Sequence, residues 1–240
     1  MTMPPLLEAR GLTMRFGGVV AIDNVDFSLG HGELRCLIGP NGAGKTTFFK
    51  MLSGQLLPSA GDVLLNAESI LGLPASAIAR RGVGIKTQVP SVFNGLTVNE
   101  SVRLAAGRVL PPLLARRKVA EVLDRVKISH LKDRVVGELA HGQRQLVELA
   151  MVIAPQPDLI LLDEPAAGMT GAEVERLAHL VSDLARSSSV VIVEHDMAFI
   201  RSIAKRVTVF NRGRVLAEGA AADVLADPRV RSVYLGDEVA

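Results

Sequence analysis

The stretch "GPNGAGKTT", Gly39 to Thr47, sets three glycines ahead of a lysine and two hydroxyl residues. It fits G-x-x-x-x-G-K-[ST], directly after a buried-strand pattern and directly before a helical one, which is the setting a phosphate-binding loop requires. Glycines let backbone N–H groups close around phosphate oxygens, and the N-terminus of the following helix adds positive potential. Lys45 would reach the β- and γ-phosphates and the Thr46 hydroxyl would ligate Mg²⁺. Further along, "DLILLDE" ends in Asp163 and Glu164. Two carboxylates closing a buried strand are costly unless something cationic satisfies them. An Asp bound to Mg²⁺, directly or through water, and a Glu polarising an attacking water explain both. "SVVIVEHD" ends in Glu194 and His195. In a parallel sheet this strand end shares an edge with the phosphate loop and the carboxylate pair. His195 could then donate a hydrogen bond to a γ-phosphate or its attacking water. Asp196 suits the N-cap of a helix carrying Met197, Ile200 and Ile203.

These side chains need strands ending on one edge, and the sequence offers them. The runs Glu33 to Gly39, Asp158 to Glu164 and Ser189 to Asp196 are short, turn-bounded and apolar on consecutive positions, as strands buried on both faces should be. Strands alternating with helices give an α/β fold with a mainly parallel sheet. The segments "LLEARGLTMRF", "VAIDNVDFSL" and "GDVLLNAESI" read instead as an antiparallel β layer beside it. From about Phe93 to Ile153 the pattern turns helical. Thr97 and Glu100 have capping-box spacing, and Pro111 and Pro112 break the chain before a basic helix with apolar Val119, Val122, Leu123 and Val126. Residues 93–153 are thus a candidate helical lobe inserted in a single domain of 1–240. Within it, "ELAHGQRQ" reads as a loop from Leu139 to Gly142, opening a helix whose apolar face starts at Leu146.

Composition bounds the alternatives. Hydrophobic residues make up 48% of the chain and aromatics only 3%, so the core must be built from Val, Leu, Ile and Ala. The net charge of +2 implies no strong field for nucleic acid, and the cluster Arg116, Arg117, Lys118 reads as a solvated helix face. Cys36 is the only cysteine, which rules out an internal disulfide, and its apolar run suits a buried structural thiol. The start "MTMPPLLEAR" lacks the pattern of a signal peptide, and no run approaches the 18 or so apolar residues of a membrane span. The expectation is a chain that is soluble or held at a membrane by a partner.

The motifs together resemble those of ATP-binding cassette (ABC) ATPases, in order and spacing, over almost the whole chain. Gly39 to Thr47, with Gly39, Asn41, Gly42, Ala43, Gly44, Lys45, Thr46 and Thr47, resembles the Walker A motif, and "LILLDE" the Walker B motif. "LAHGQRQ" stands where the family carries its LSGGQ signature, and His195 where it has its switch histidine. Gln88 in "GIKTQVPSVF" matches the Q-loop glutamine, and Phe16 in "MRFGG" the aromatic that stacks on adenine. The resemblance implies a P-loop NTPase core with an antiparallel β subdomain and an inserted helical subdomain, hydrolysing ATP with Mg²⁺. Glu164, His195, Lys45 and Gln88 would be catalytic, and Thr46, Gln88 and Asp163 would face the metal. It also implies two subunits sandwiching two ATP molecules, each Walker A facing the partner's signature. Ala140, His141, Gly142 and Gln143 would thus touch ATP in trans. Dimer closure would be passed to membrane permease subunits docked near the Q-loop, placing the chain on the inner face of a membrane, with a solute-binding protein as an indirect partner. "DEPAAGMT" and "VEHDM" resemble ATPases serving hydrophobic amino-acid and amide importers. "GIKTQVPSVF", "AHGQRQ" and "VRSVYLG" look most like the urea-type members, with branched-chain amino acids as the alternative solute.

Two departures stand out. Ala140 replaces the signature serine and His141 the glycine after it. By the family analogy the lost hydroxyl bonds the γ-phosphate of ATP on the other subunit, and a hydrogen bond to a charged group is worth about 1.5–3 kcal/mol. His141 either supplies part of the missing donor strength or faces solvent with no role. Thr170 stands where the family has its D-loop aspartate, and "TGAE", Thr170 to Glu173, also reads as a capping box. An asymmetric heterodimer, whose partner brings an intact signature, is the favoured assembly, with a homodimer as the alternative.

Overall fold

The computed structural model describes residues 4–88 and 91–235. Val89 and Pro90 of "GIKTQVPSVF" and Gly236 of "VRSVYLG" lie outside them. A six-stranded sheet has the order β10-β9-β3-β8-β7-β6, made of β3 (Leu34–Ile38), β6 (Val83–Lys86), β7 (Leu159–Asp163), β8 (Ser189–Val193), β9 (Arg206–Asn211) and β10 (Arg214–Ala220). All neighbours pair in parallel except β10, which closes one edge as the antiparallel partner of β9. A second sheet, β2-β1-β4-β5, is wholly antiparallel and is formed by β1 (Leu7–Phe16), β2 (Val19–Leu29), β4 (Ala60–Leu65) and β5 (Glu68–Ser69).

The unbroken apolar runs are explained by two cores, one on each face of the parallel sheet. Cys36, Ile160, Leu162, Val190 and Ile192 face a core shared with the helices. Their neighbours Leu37, Leu159, Leu161, Val191 and Val193 face a second core, shared with the antiparallel sheet and with Phe48 and Phe49 of α1 (Lys45–Leu52). Burial drives the Cys36 thiol up to about 12, so it is a small apolar filler at neutral pH. Arg35, inside the same run, is also buried, and it is satisfied by Glu33, Glu218 and the Thr208 hydroxyl.

After α2 (Ala75–Arg80) and β6 come three helices: α3 (Val98–Ala106), α4 (Pro112–Arg125) and α5 (His141–Ile153). Thr97 caps α3 as the capping-box spacing predicts. Two boundaries differ from the sequence reading. Pro112 does not precede α4 but is its first residue, where a missing N–H costs nothing. Helix α5 begins at His141, so His141 and Gly142 lie in its first turn and not in a loop. The chain continues through α6 (Gly171–Leu184) and α7 (Met197–Ile203) to α8 (Ala221–Ala226) and α9 (Pro228–Leu235). Asp196 caps α7, accepting from the N–H groups of Ala198 and Phe199 at 2.8 and 3.2 Å. Among the described residues no helix is long and apolar enough to cross a membrane.

Candidate functional site

The phosphate loop connects β3 to α1 and depends on glycine at two points. Gly39 has φ +145°, and a Cβ there would lie 2.2 Å from the carbonyl oxygen of Phe210. Gly44 has φ +103°, and its Cβ would lie 2.7 Å from the carbonyl oxygen of Ala21. The backbone can follow this path against β2 and β9 only without side chains. Lys45 is buried and its ammonium donates to the carbonyl oxygens of Gly39 and Pro40 at 2.7 and 2.9 Å. The lysine therefore points back under the loop. Burial lowers its pKa, an effect partly offset by Glu164 and Asp163.

Two strands away, β7 ends at Asp163, which is 3% exposed and has Oδ1 buried with no hydrogen-bond partner. Desolvation, and then the charge of Glu164, raise this carboxyl to about 6, against the pull of Lys50 and Lys86. Glu164 turns the chain sharply: its φ is +45°, a left-handed conformation costly for a residue with a side chain, and its N–H donates to Val193 O at 2.9 Å. Its carboxylate receives Gln88 Nε2 at 3.1 Å on Oε2, while His195 Nδ1 lies 3.4 Å from Oε1. Gln88, Glu164 and His195 thus converge from three different strand ends. Glu194 was not singled out as a site residue from the sequence. It is buried and accepts from the N–H groups of Ala166, His195 and Asp196 at 3.1, 3.0 and 3.3 Å. It locks the turn after β7 to the turn after β8. The desolvation argument applied to Asp163 and Glu164 applies equally to Glu194, and that was the available signal.

The stretch Ala140 to Gln143 sits elsewhere, at the start of α5. Ala140 is the N-cap and has no side-chain oxygen to offer, although Gln143 Oε1 still accepts its N–H at 3.1 Å. His141 is exposed, yet its ring packs on its own chain. Its Nε2 is 3.2 Å from Gln145 Nε2, and a Cβ on Gly168 would lie 2.9 Å from its Cδ2. Gly142 is similarly close to Glu173, whose carboxylate accepts from Thr170 N and Oγ1, each at 2.8 Å. Those two hydrogen bonds hold the Glu173 carboxyl below its ordinary pKa. Phe16 lies at the end of β1 and is half exposed.

A family model described as "ABC transporter" matches residues 22–167, more than half of the chain. The chain belongs to the ABC transporter family. Residues 214–240 of this ABC protein match a second model, "Branched-chain amino acid ATP-binding cassette transporter". Among curated relatives, the high-affinity branched-chain amino acid transport ATP-binding protein LivG of Escherichia coli K12 is 37% identical, over 97% of this chain and 98% of its own. The lipopolysaccharide export system ATP-binding protein LptB of Acidithiobacillus ferridurans is 36% identical, over 98% and 99%. A solved ATP-binding cassette of an ABC transporter, in its ADP conformation, superposes with a TM-score of 0.83 at 28% identity, covering 97% of this chain and 99% of that one. These matches favour the branched-chain alternative and give no support to the urea-type resemblance.

ABC ATPase domains bind ATP with Mg²⁺, hydrolyse it to power transport, and work as dimers with membrane permease components. The residues here fit the ion. Asp163 Oδ1 is an unpartnered hard oxygen, and Thr46 supplies a hydroxyl in the first turn of α1. No cluster of three or more His, Cys, Asp or Glu able to hold a metal occurs among the described residues, so beyond Thr46, Asp163 and Gln88 the ligands would be phosphate and water oxygens, as Mg²⁺ prefers. When bound, the ion would neutralise charge on the phosphates.

Proposed function

We propose that this chain is the energy-coupling ATPase subunit of an importer in the branched-chain amino-acid group. The convergence of Gln88 and His195 on the Glu164 carboxylate carries the hydrolytic part of this reading. The match of residues 214–240, together with the likeness to LivG, carries the solute group. In this reading the loop from Gly39 to Thr47 encloses the phosphates, Lys45 leaves its carbonyl partners for the β- and γ-phosphate oxygens, and Thr46, Asp163 and Gln88 face Mg²⁺. Glu164, fixed by Gln88 and His195, accepts a proton from the attacking water. His195 then has its Nε2 free for the γ-phosphate. Phe16 stacks on adenine. Ala140, His141, Gly142 and Gln143 meet ATP held by a second ABC subunit, more weakly than a serine-bearing signature would, which favours a heterodimer. Permease subunits dock near Gln88 and the helical lobe of about 93–153, on the inner face of the membrane, with a solute-binding protein feeding them.

The test is uptake of labelled leucine and labelled urea in cells with and without the gene. Loss of leucine uptake alone is expected. Loss of urea uptake with leucine untouched would replace the solute, and loss of neither, with a defect in lipopolysaccharide export, would favour the likeness to LptB.

A further inference from the structure

Both flanks of Gln88 are tied to one buried carboxylate. Lys86 ends β6 and Glu148 lies on α5. Their side chains are 1% and 4% exposed, with Nζ 3.4 Å from Oε2. The other oxygen, Oε1, accepts the N–H of Ser91 at 2.9 Å, and Lys86 Nζ also donates to Thr87 O at 3.4 Å. Glu148 therefore grips the chain just before and just after Gln88. Burial pushes the Glu148 carboxyl up and the Lys86 ammonium down, so the pair does not recover all the hydration it loses. A buried ion pair of this kind is a poor source of stability, since apolar residues of similar volume often serve as well. What it supplies is a defined geometry.

That geometry spans two functional elements. Gln88 holds the Glu164 carboxylate. Glu148 lies seven residues, or two helical turns, beyond His141, at the start of the same helix that carries Ala140 to Gln143. Lys86 also adds its charge to Asp163, at the end of the neighbouring strand. We propose that Lys86 and Glu148 are positioning residues that clamp the chain on either side of Gln88, at Lys86 and Ser91, to α5. Gln88 on this chain's ATP and the segment offered to the partner's ATP then move as one body. The proposal rests on the roles given above to Gln88 and Glu164.

The experiment uses the full chain, with ATP turnover and fluorescent-ATP titration measured in parallel on Lys86→Met/Glu148→Leu. Nearly unchanged ATP affinity with kcat lower by up to about 10²-fold is expected, the size that a misplacement near 1 Å can produce. Wild-type turnover overturns the proposal, as does a loss of affinity equal to the loss of turnover, which is the mark of a merely structural pair. Glu148→Gln keeps an acceptor for Ser91 and removes the charge. It is the second arm if the double variant does not accumulate, with the same split expected and wild-type turnover again decisive. Glu164→Gln separates the layers: full turnover in that variant sinks the site reading itself. Lost turnover there, with normal turnover in the Lys86/Glu148 variants, sinks only the clamp.

Discussion

The edge formed by β3, β7 and β8 and the surface formed by the starts of α5 and α6 are built by different means. On the first, functional groups stand at the ends of buried strands and are held by backbone geometry: Gly39 against Phe210, Glu164 at positive φ, Glu194 binding three N–H groups. On the second, side chains reach across to neighbouring elements, His141 of α5 against Gly168 and Glu173 of α6 against Gly142. Every departure from the family pattern, Ala140, His141 and Thr170, falls on the second surface, where His141 meets Gly168 and Glu173 ties Thr170 to the neighbourhood of Gly142. A strand end buried on both sides leaves no room for drift. Two helix starts packed through side chains can change together.

The sharpest way to break this contrast is at Glu164. Glu164→Gln should lower kcat by about 10²–10⁴-fold, the usual weight of general base catalysis, with ATP binding retained. Turnover and titration on the purified chain, and on its assembled complex, check this. Next come the glycines. Gly39→Ala meets backbone at positive φ and should lower Tm by at least about 5 °C, whereas Gly142→Ala meets only the movable end of Glu173 and should cost far less. Equal losses would erase the distinction between the two regions. Asp163 supplies the third test. A carboxyl raised from 3.8 to about 6 by burial binds its proton more tightly folded than unfolded, so its charged form opposes folding. At 1.36 kcal/mol for each pH unit, that is up to about 3 kcal/mol above pH 6. Without nucleotide at pH 7.5, Asp163→Asn should therefore raise Tm while abolishing turnover, and the gain should shrink as the pH falls through 6 towards 4.

The same physics decides what could be seen in the sequence. β3, β7 and β8 were legible because burial on both faces writes an unbroken apolar run between turn residues, and the site side chains fall at their ends. β6 was not, since "VGIK" is only four residues long and closes on a charge whose partner, Glu148, is remote in sequence. The start of α5 was misplaced because Ala140 and Gly142 remove the usual N-cap signal. The capping box at Thr170 was legible from local spacing, but nothing local shows that Glu173 rests against Gly142 or His141 against Gly168.

The smallest expected effect tests whether the second surface is weakened or merely different. Ala140→Ser would place an acceptor at the N-cap of α5, three residues before Gln143, whose side chain already accepts the Ala140 N–H. That completes a reciprocal cap, worth about 1 kcal/mol, or roughly 2–4 °C in Tm for a chain of this size. ATP affinity of the isolated chain should not move, because position 140 is absent from its own phosphate loop. In the proposed dimer the new hydroxyl would face the partner's nucleotide, so turnover should rise there if the alanine is a loss. If the stability gain appears and turnover stays level, His141 and the helix N-terminus already suffice at that site. His141→Gly in the same background then shows which of the two carries the contact.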